Sequence, residues 1–387
     1  MPPMDERHPS TVSDWDDARR RTRLRDTSPG HGWETLRRTR VTLLRVAALL
    51  LAGLVVFAQY LKYDVAPEQA RLARTEPAIL PVAPPVDPQN WDTVVVDLVG
   101  LGGLDASDTA AALPALRRMG MVWAIRYDNR GLDTKVIADL VVRAAELSGL
   151  RNVVLVGHSM GGVIALEVAE HIHRESDRRL VGVILDCTPV DLNAVRPESR
   201  GRGEDMLRWM GWLPGARESR TLRLAVETYA RRDQFLDRGY GLPGIRLGKL
   251  GAVLGQVMRE KIVSRDAASN GLIESQFTAI VAGGATDDLR TLAEPVAGKP
   301  PPAIVFIRPR DASADRVVDV EHSHRVLIER SGGVDGTLLV VLARNTGHAN
   351  PMQRPREYNT VIEQQILPFV QRYQEQVRST MVAAPPR

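Results

Sequence analysis

Val153-Val154-Leu155-Val156-Gly157-His158-Ser159-Met160-Gly161-Gly162, running on into Val163-Ile164-Ala165-Leu166-Glu167-Val168-Ala169, is the stretch on which the reading of this chain turns. Its apolar run is too short for a helix and too continuous for a half-exposed strand, so it predicts a buried strand. After Gly162 the apolar residues recur at helical spacing. Between the two lies a very tight turn with Ser159 at its apex. Gly157 and Gly161, two residues either side of the serine, suit a strained corner with no room for β-carbons. The following helix then aims its N-terminal amides at whatever Ser159 attacks. A flavodoxin-like turn with Ser159 as a mere helix cap is the competing reading.

The spacing G-x-S-x-G between a strand and a helix resembles the nucleophile elbow of the α/β-hydrolase family. The resemblance covers about residues 92–375. It implies an α/β fold: a central, mostly parallel sheet of about six strands, helices on both faces, and a helical cap over the substrate site. The flanking sequence follows the same strand–helix alternation, which calls for a parallel sheet. Strands are expected at 93–98, 122–127, 180–185, 303–307 and 337–342, with helices at 110–118 and 137–148. Between the strands at 180–185 and 303–307 about 110 residues read as helices at 204–210, 222–236, 247–263 and 274–281. The family carries its cap here, expected at 190–298. Trp209, Trp212, Leu213, Tyr229, Phe235 and Phe277 are candidates to line an apolar acyl site or to fill the cap's own core.

The same resemblance assigns roles residue by residue. Val99-Gly100-Leu101-Gly102-Gly103 stands where the family has its oxyanion loop, with Val99-Gly100 in place of the usual His-Gly. It implies an oxyanion hole from the N–H groups of Leu101 and Met160. A dinucleotide turn is excluded because Asp105 stands where the third glycine would fall. Asp128 opens an Asp-x-x-Gly turn and is structural. For the acid, Asp311 fits by position along the strand and Asp315 by the following Arg-Val-Val; Asp315 is favoured, with Asp186 a third candidate. His348, on the loop after the last strand, completes the order Ser159, Asp315, His348 as general base.

Of the 387 residues, 51 are Lys or Arg and 47 Asp or Glu, a net charge of +4. The basic residues are scattered rather than striped among aromatics, which argues against a nucleic-acid groove. The single cysteine, Cys187, excludes an internal disulfide framework and reads as a small buried hydrophobe. His322 and His324 lack companion ligands, so no metal and no cofactor is expected.

Residues 1–40 read as a disordered basic tail. Residues 41–63 read as a transmembrane or signal-anchor helix, since Val46 to Leu61 carries no charge and Arg45 can snorkel. Arg37, Arg38 and Arg40 before it place the N-terminus in the cytoplasm and the catalytic domain, 91–375, outside. The alternative is a secreted protein cleaved near Ala58. Pro67, Pro77, Pro81, Pro84, Pro85 and Pro88 make 64–90 an expected extended linker, with the folded domain starting near Asn90. Residues 376–387 are expected to be a disordered tail.

Three functional readings follow. One is a serine hydrolase that cleaves carboxylic esters, esterase- or lipase-like, through an acyl-enzyme on Ser159. A second is an acyltransferase with the same triad. A third is a non-catalytic binding module. The expected partners are a small-molecule ester or lipid substrate and, through the N-terminal helix, a membrane. If the helix is an uncleaved anchor, full-length protein stays with membranes after an alkaline wash, because burial in hydrocarbon is not screened by salt or charge. Recovery of a soluble chain starting at Gln59 establishes cleavage instead.

Overall fold

The computed structural model describes residues 28–237, 244–264, 267–282, 284–331 and 337–383. It divides into two compact units, one up to Tyr63 and one from Asp64 onward. In the first, the long helix α1 (Ser28–Tyr60) carries the apolar run. The helix over Thr39–Leu72 is long and apolar enough to cross a membrane, and none of its most apolar stretch is buried. Residues 1–27 of the expected tail lie outside the described residues; from Ser28 the chain is already helical. Once the apolar segment has nucleated a helix, extending it costs little per residue.

The second unit is built on a sheet of seven strands: β1 (Ala78–Ala83), β2 (Thr93–Leu98), β3 (Met121–Arg126), β4 (Asn152–His158), β5 (Arg179–Asp186), β6 (Ala303–Pro309) and β7 (Leu338–Ala343). Their order is β1-β3-β2-β4-β5-β6-β7. All pairs are parallel except β1 with β3. β2, β4, β5 and β6 are buried on both faces, as continuous Val, Leu and Ile runs require. Alternate residues feed separate cores. Val94, Val96, Leu155 and Phe306 pack on one side, and Val95, Val154, Val156 and Val305 on the other.

The first face is covered by α4 (Thr134–Leu147) and α5 (Met160–Glu175), the second by α12 (Pro355–Val361) and the helical C-terminal segment. Two short helices precede α4, α2 (Ala66–Leu72) and α3 (Ser107–Ala112). The insertion between β5 and β6 holds α6 (Pro197–Trp212), α7 (Arg220–Ala230), α8 (Leu247–Val257), α9 (Asn270–Ala282) and α10 (Ala285–Leu292). α11 (Val320–Arg330) follows β6, and α13 (Leu367–Ala383) ends the described chain.

Six parallel strands match the expected number; the seventh was hidden in the Pro-rich stretch. Residues 64–90 are therefore not a bare spacer. They contain α2 and the antiparallel edge strand β1, whose Ile79 packs on one core and Leu80 and Val82 on the other. Pro81 is tolerated because an edge strand needs hydrogen bonds on one side only, and the register shifts beside it. At the other end the expected tail from 376 continues α13 to Ala383; residues 384–387 lie outside the described ones.

A protein starting at Asp64 should thus be markedly more stable than one starting at Asn90. Losing β1 uncovers β3 and part of both cores, and should lower the thermal midpoint by roughly 5–10 °C. Circular dichroism melts of the two truncations check this; equal midpoints would restore the spacer reading.

Candidate active site

Four loops at the C-terminal ends of parallel strands meet at Ser159, the position where open α/β sheets present their ligands. The strand register puts them there. β2 pairs with β4 up to Leu98 opposite Gly157, and β4 with β5 up to His158 opposite Asp186. The loop after β2 and the turn after β4 therefore start side by side.

Ser159 has φ 54° and ψ −123°, a backbone region that side chains rarely adopt. Packing enforces it. A β-carbon on Gly157 would meet the Gly161 carbonyl and lie 2.5 Å from Gly162 Cα. One on Gly161 would collide with the carbonyls of Leu98 and Val99, and one on Gly162 with Thr188. Ser159 N–H donates to Asp186 O at 2.7 Å, which fixes the corner against β5.

His348 lies between the serine and an acid. Its Nε2 is 2.8 Å from Ser159 Oγ and its Nδ1 2.9 Å from Asp315 Oδ2. Asp315 is completely buried, and its Oδ1 accepts from the N–H groups of Val317 and Val318. Burial alone would raise this carboxyl, but the hydrogen bond and charge of His348 and the two backbone donors hold it below the usual carboxylate range. Arg196, just before α6, donates to the Asp315 carbonyl at 2.8 Å and pins the turn. Asp311 is not brought to the histidine: its exposed carboxylate caps the short turn Ala312–Ala314, accepting from Ser313. Asp186 is engaged elsewhere.

That engagement is the part of the site that sequence reading missed. His158, next to the serine, is buried between two carboxylates, with Nδ1 2.8 Å from Asp186 Oδ2 and Nε2 3.1 Å from Asp97 Oδ1. The second contact has ion-pair distance but lies off the hydrogen-bond line, leaving both Asp97 oxygens without a hydrogen-bond donor. Burial pulls the imidazole pKa down, yet the charge of Asp97 and the pairing with Asp186 outweigh it and raise it to about 10. His158 is then a buried cation at neutral pH. Tyr358 continues the network, donating to Asp186 Oδ1 at 3.0 Å while accepting from Asn350 N–H at 3.2 Å. Burial raises the phenol far above its ordinary value, so it stays a donor. Asn350 Oδ1 in turn accepts from Gly347 N–H. The His348 loop, with positive φ at Asn345 and Ala349, is held in this way on both sides of the histidine. Asp97, Asp186 and Tyr358 lie far apart in sequence, and no spacing announces them.

The loop after β2 is held as firmly. Gly100 is required because a β-carbon there would lie 2.8 Å from the His158 carbonyl. Tyr127 OH donates to Val99 O at 2.9 Å. From α9, fully buried Gln276 accepts from Gly102 N–H and donates to Gly103 O, both at 2.9 Å. Gln276 also escaped the sequence reading. Met160 is the first residue of α5, so its N–H has no intrahelical acceptor; it and Leu101 line the same cleft as Ser159 and His348. That cleft holds about 480 Å³, and Val195, Ser199, Phe277 and Ile280 of the insertion wall it.

Of the residues expected either to line the site or to fill the cap's own core, Phe277 lines the cleft. Phe235 packs with Val253 and Val257, and Trp209, Trp212, Leu213 and Tyr229 are exposed. Cys187 is buried as expected, and burial pushes its thiol well up. Its ligand atom lies close enough to those of Asp315 and His348 to share an ion. However, Asp315 and His348 already bond each other, and the protonated thiol donates to Gly347 O. A metal would have to displace all of these contacts.

Solved structures of similar fold include an esterase from Exiguobacterium antarcticum (14% identity, TM-score 0.46, covering 77% of this chain and 96% of that one). Another is a carboxylesterase from the thaumarchaeon Nitrososphaera gargenis (13%, 0.46, covering 77% and 95%). A third is a monoacylglycerol lipase from Paleococcus ferrophilus (16%, 0.44, covering 76% and 99%). No curated protein sequence matches the chain. The profile of the Alpha/beta hydrolase family matches residues 31–361. With the parallel sheet and the glycine-packed elbow at Ser159, that match places the chain in the alpha/beta hydrolase family, as a hydrolase enzyme.

Proposed function

We propose that the protein is a serine hydrolase of carboxylic esters, working through an acyl-enzyme on Ser159. The observation that carries this reading is the position of His348, within hydrogen-bond distance of Ser159 Oγ on one side and of buried Asp315 on the other. His348 Nε2 takes the hydroxyl proton as Oγ attacks the ester carbonyl, and returns it to the leaving alkoxide. Asp315 keeps Nδ1 protonated and stabilises the imidazolium. The N–H groups of Leu101 and Met160 receive the oxyanion. Water, activated by the same histidine, then releases the acid. Gln276 is a positioning residue, because it braces the loop that carries Leu101.

Residues 190–298 act as the cap in this reading, since Ser199, Phe277 and Ile280 wall the cleft. The apolar helix is an uncleaved anchor with the N-terminus cytoplasmic, on the strength of the arginines preceding it. The catalytic domain then lies outside the cytoplasm.

Ser159→Ala should abolish labelling by a fluorophosphonate probe and lower aryl-ester turnover by at least about 10³-fold, with His348→Ala nearly equal because the two act as a unit. Asp315→Asn should lose far more activity than Asp311→Asn; persistent labelling of the serine variant, or the reverse ranking of the acids, would overturn the assignment. Gln276→Ala leaves two groups of the loop unpaired. It should lower kcat about tenfold with KM little changed, less than the loss for removing an oxyanion donor itself. A steady-state comparison checks this, and a pure KM effect would move Gln276 from the oxyanion loop's support to substrate binding.

A further inference from the structure

The insertion exposes large apolar side chains side by side. Trp212 is 82% exposed and Trp209 63%, three residues apart and so on one side of α6, and Leu213 follows them. The same helix buries Gly203 tightly against Phe277. α6 therefore has one face toward the catalytic cleft and a tryptophan-bearing end that no part of the described chain covers.

What lies beside that end is the start of the unit. Asp64 Oδ2 accepts from Ser219 Oγ at 2.6 Å, and its carboxylate also accepts from Thr221 N–H. Val65 is buried, and a β-carbon on Gly215 would lie 2.6 Å from one of its methyls. Buried Glu68 pairs with Arg220 at 2.6 Å and with Arg71. Trp212 is three residues from Gly215, so it stands within roughly 11 Å of it along the chain. One peptide bond before Asp64 is Tyr63, at the end of the apolar segment that also holds Tyr60 and Lys62. Tyrosine and tryptophan are the residues that settle at headgroup level. Charge agrees, since residues 196–264 carry 14 Arg or Lys against 8 Asp or Glu, complementary to an anionic leaflet.

We propose that the Trp209–Leu213 face docks on the anionic bilayer that holds the anchor, so that the cleft behind α6 is fed with esters dissolved in that bilayer; this rests on the anchored-hydrolase reading above. The covalent link through Tyr63 and Asp64 keeps the domain near the surface, and insertion of two indoles and a leucine adds apolar burial to the electrostatic attraction.

The test uses the full chain in phosphatidylcholine vesicles containing phosphatidylglycerol. Nitroxide labels are placed by Trp209→Cys, Trp212→Cys and, as a reference, Trp91→Cys, which is 59% exposed; native Cys187 is buried and does not compete. Labels at 209 and 212 should be more accessible to oxygen than to a water-soluble nickel complex, and the label at 91 the reverse. Nickel accessibility at 209 and 212 equal to that at 91 overturns the proposal. So does shielding from both reagents, which would mean a protein partner. Turnover of a long-chain ester carried in the vesicles should fall about fivefold or more in Trp209→Ser/Trp212→Ser, with a short water-soluble ester unaffected. Equal losses on both esters overturn the feeding role. A wild-type chain inactive on both overturns the hydrolase reading while the labels still decide docking, and a chain that an alkaline wash strips from vesicles overturns the anchor and the docking with it.

Discussion

The site depends on backbone packed too closely for side chains where α5 leaves β4. Gly157, Gly161 and Gly162 let the helix start against the loop after β2 and against Thr188. That closeness forces the positive φ of Ser159, and the strain is held by a sheet register that leaves the corner no other path. It also lets Gly100 sit against the His158 carbonyl, which sets the loop of Leu101 beside Ser159.

Beneath the corner the fold buries charge. Asp97 and Asp186 lie near the ends of β2 and β5 on either side of β4, and His158, protonated between them, offsets part of their charge. Folding therefore takes up a proton at pH values between the ordinary histidine pKa and about 10. The stabilisation from this group is full below the ordinary pKa and is lost as pH rises through about 10. A buried ion cluster of this kind is a poor source of net stability, but removing one member strands the others. Its geometric consequence is clearer: Asp186 reaches through Tyr358 and Asn350 to the loop of His348, so one carboxylate braces both the turn of Ser159 and the loop of His348.

The insertion does two jobs with one helix pair. α9 sends Gln276 down to hold the loop after β2, and α6 packs on Phe277 of α9 and walls the cleft. The far end of α6 is fastened, through the segment around Gly215 to Thr221, to Asp64, Val65 and Glu68. The stretch that the prolines predict as an extended linker is thus part of the domain at both ends, with α2 and its approach stapled to the insertion and β1 completing the sheet.

The sequence by itself determined the strand–turn–helix at Ser159, the six parallel strands, the apolar N-terminal helix, and the candidates Ser159, Asp315 and His348, because each is written in local patterning: continuous β-branched runs, helical periodicity, glycines at fixed offsets, and order along the chain. It also left Asp311 and Asp315 both open, four residues apart on one turn. Only the tertiary structure sets their surroundings apart, by burying one against His348 and leaving the other to cap its own turn in solvent. The same holds for β1, whose Pro81 reads as a breaker until an edge position makes it harmless, and for Asp97, Asp186, Tyr358 and Gln276. Their partners are defined by hydrogen-bond distance across the sheet and the insertion, and separations of that kind leave no trace in local sequence.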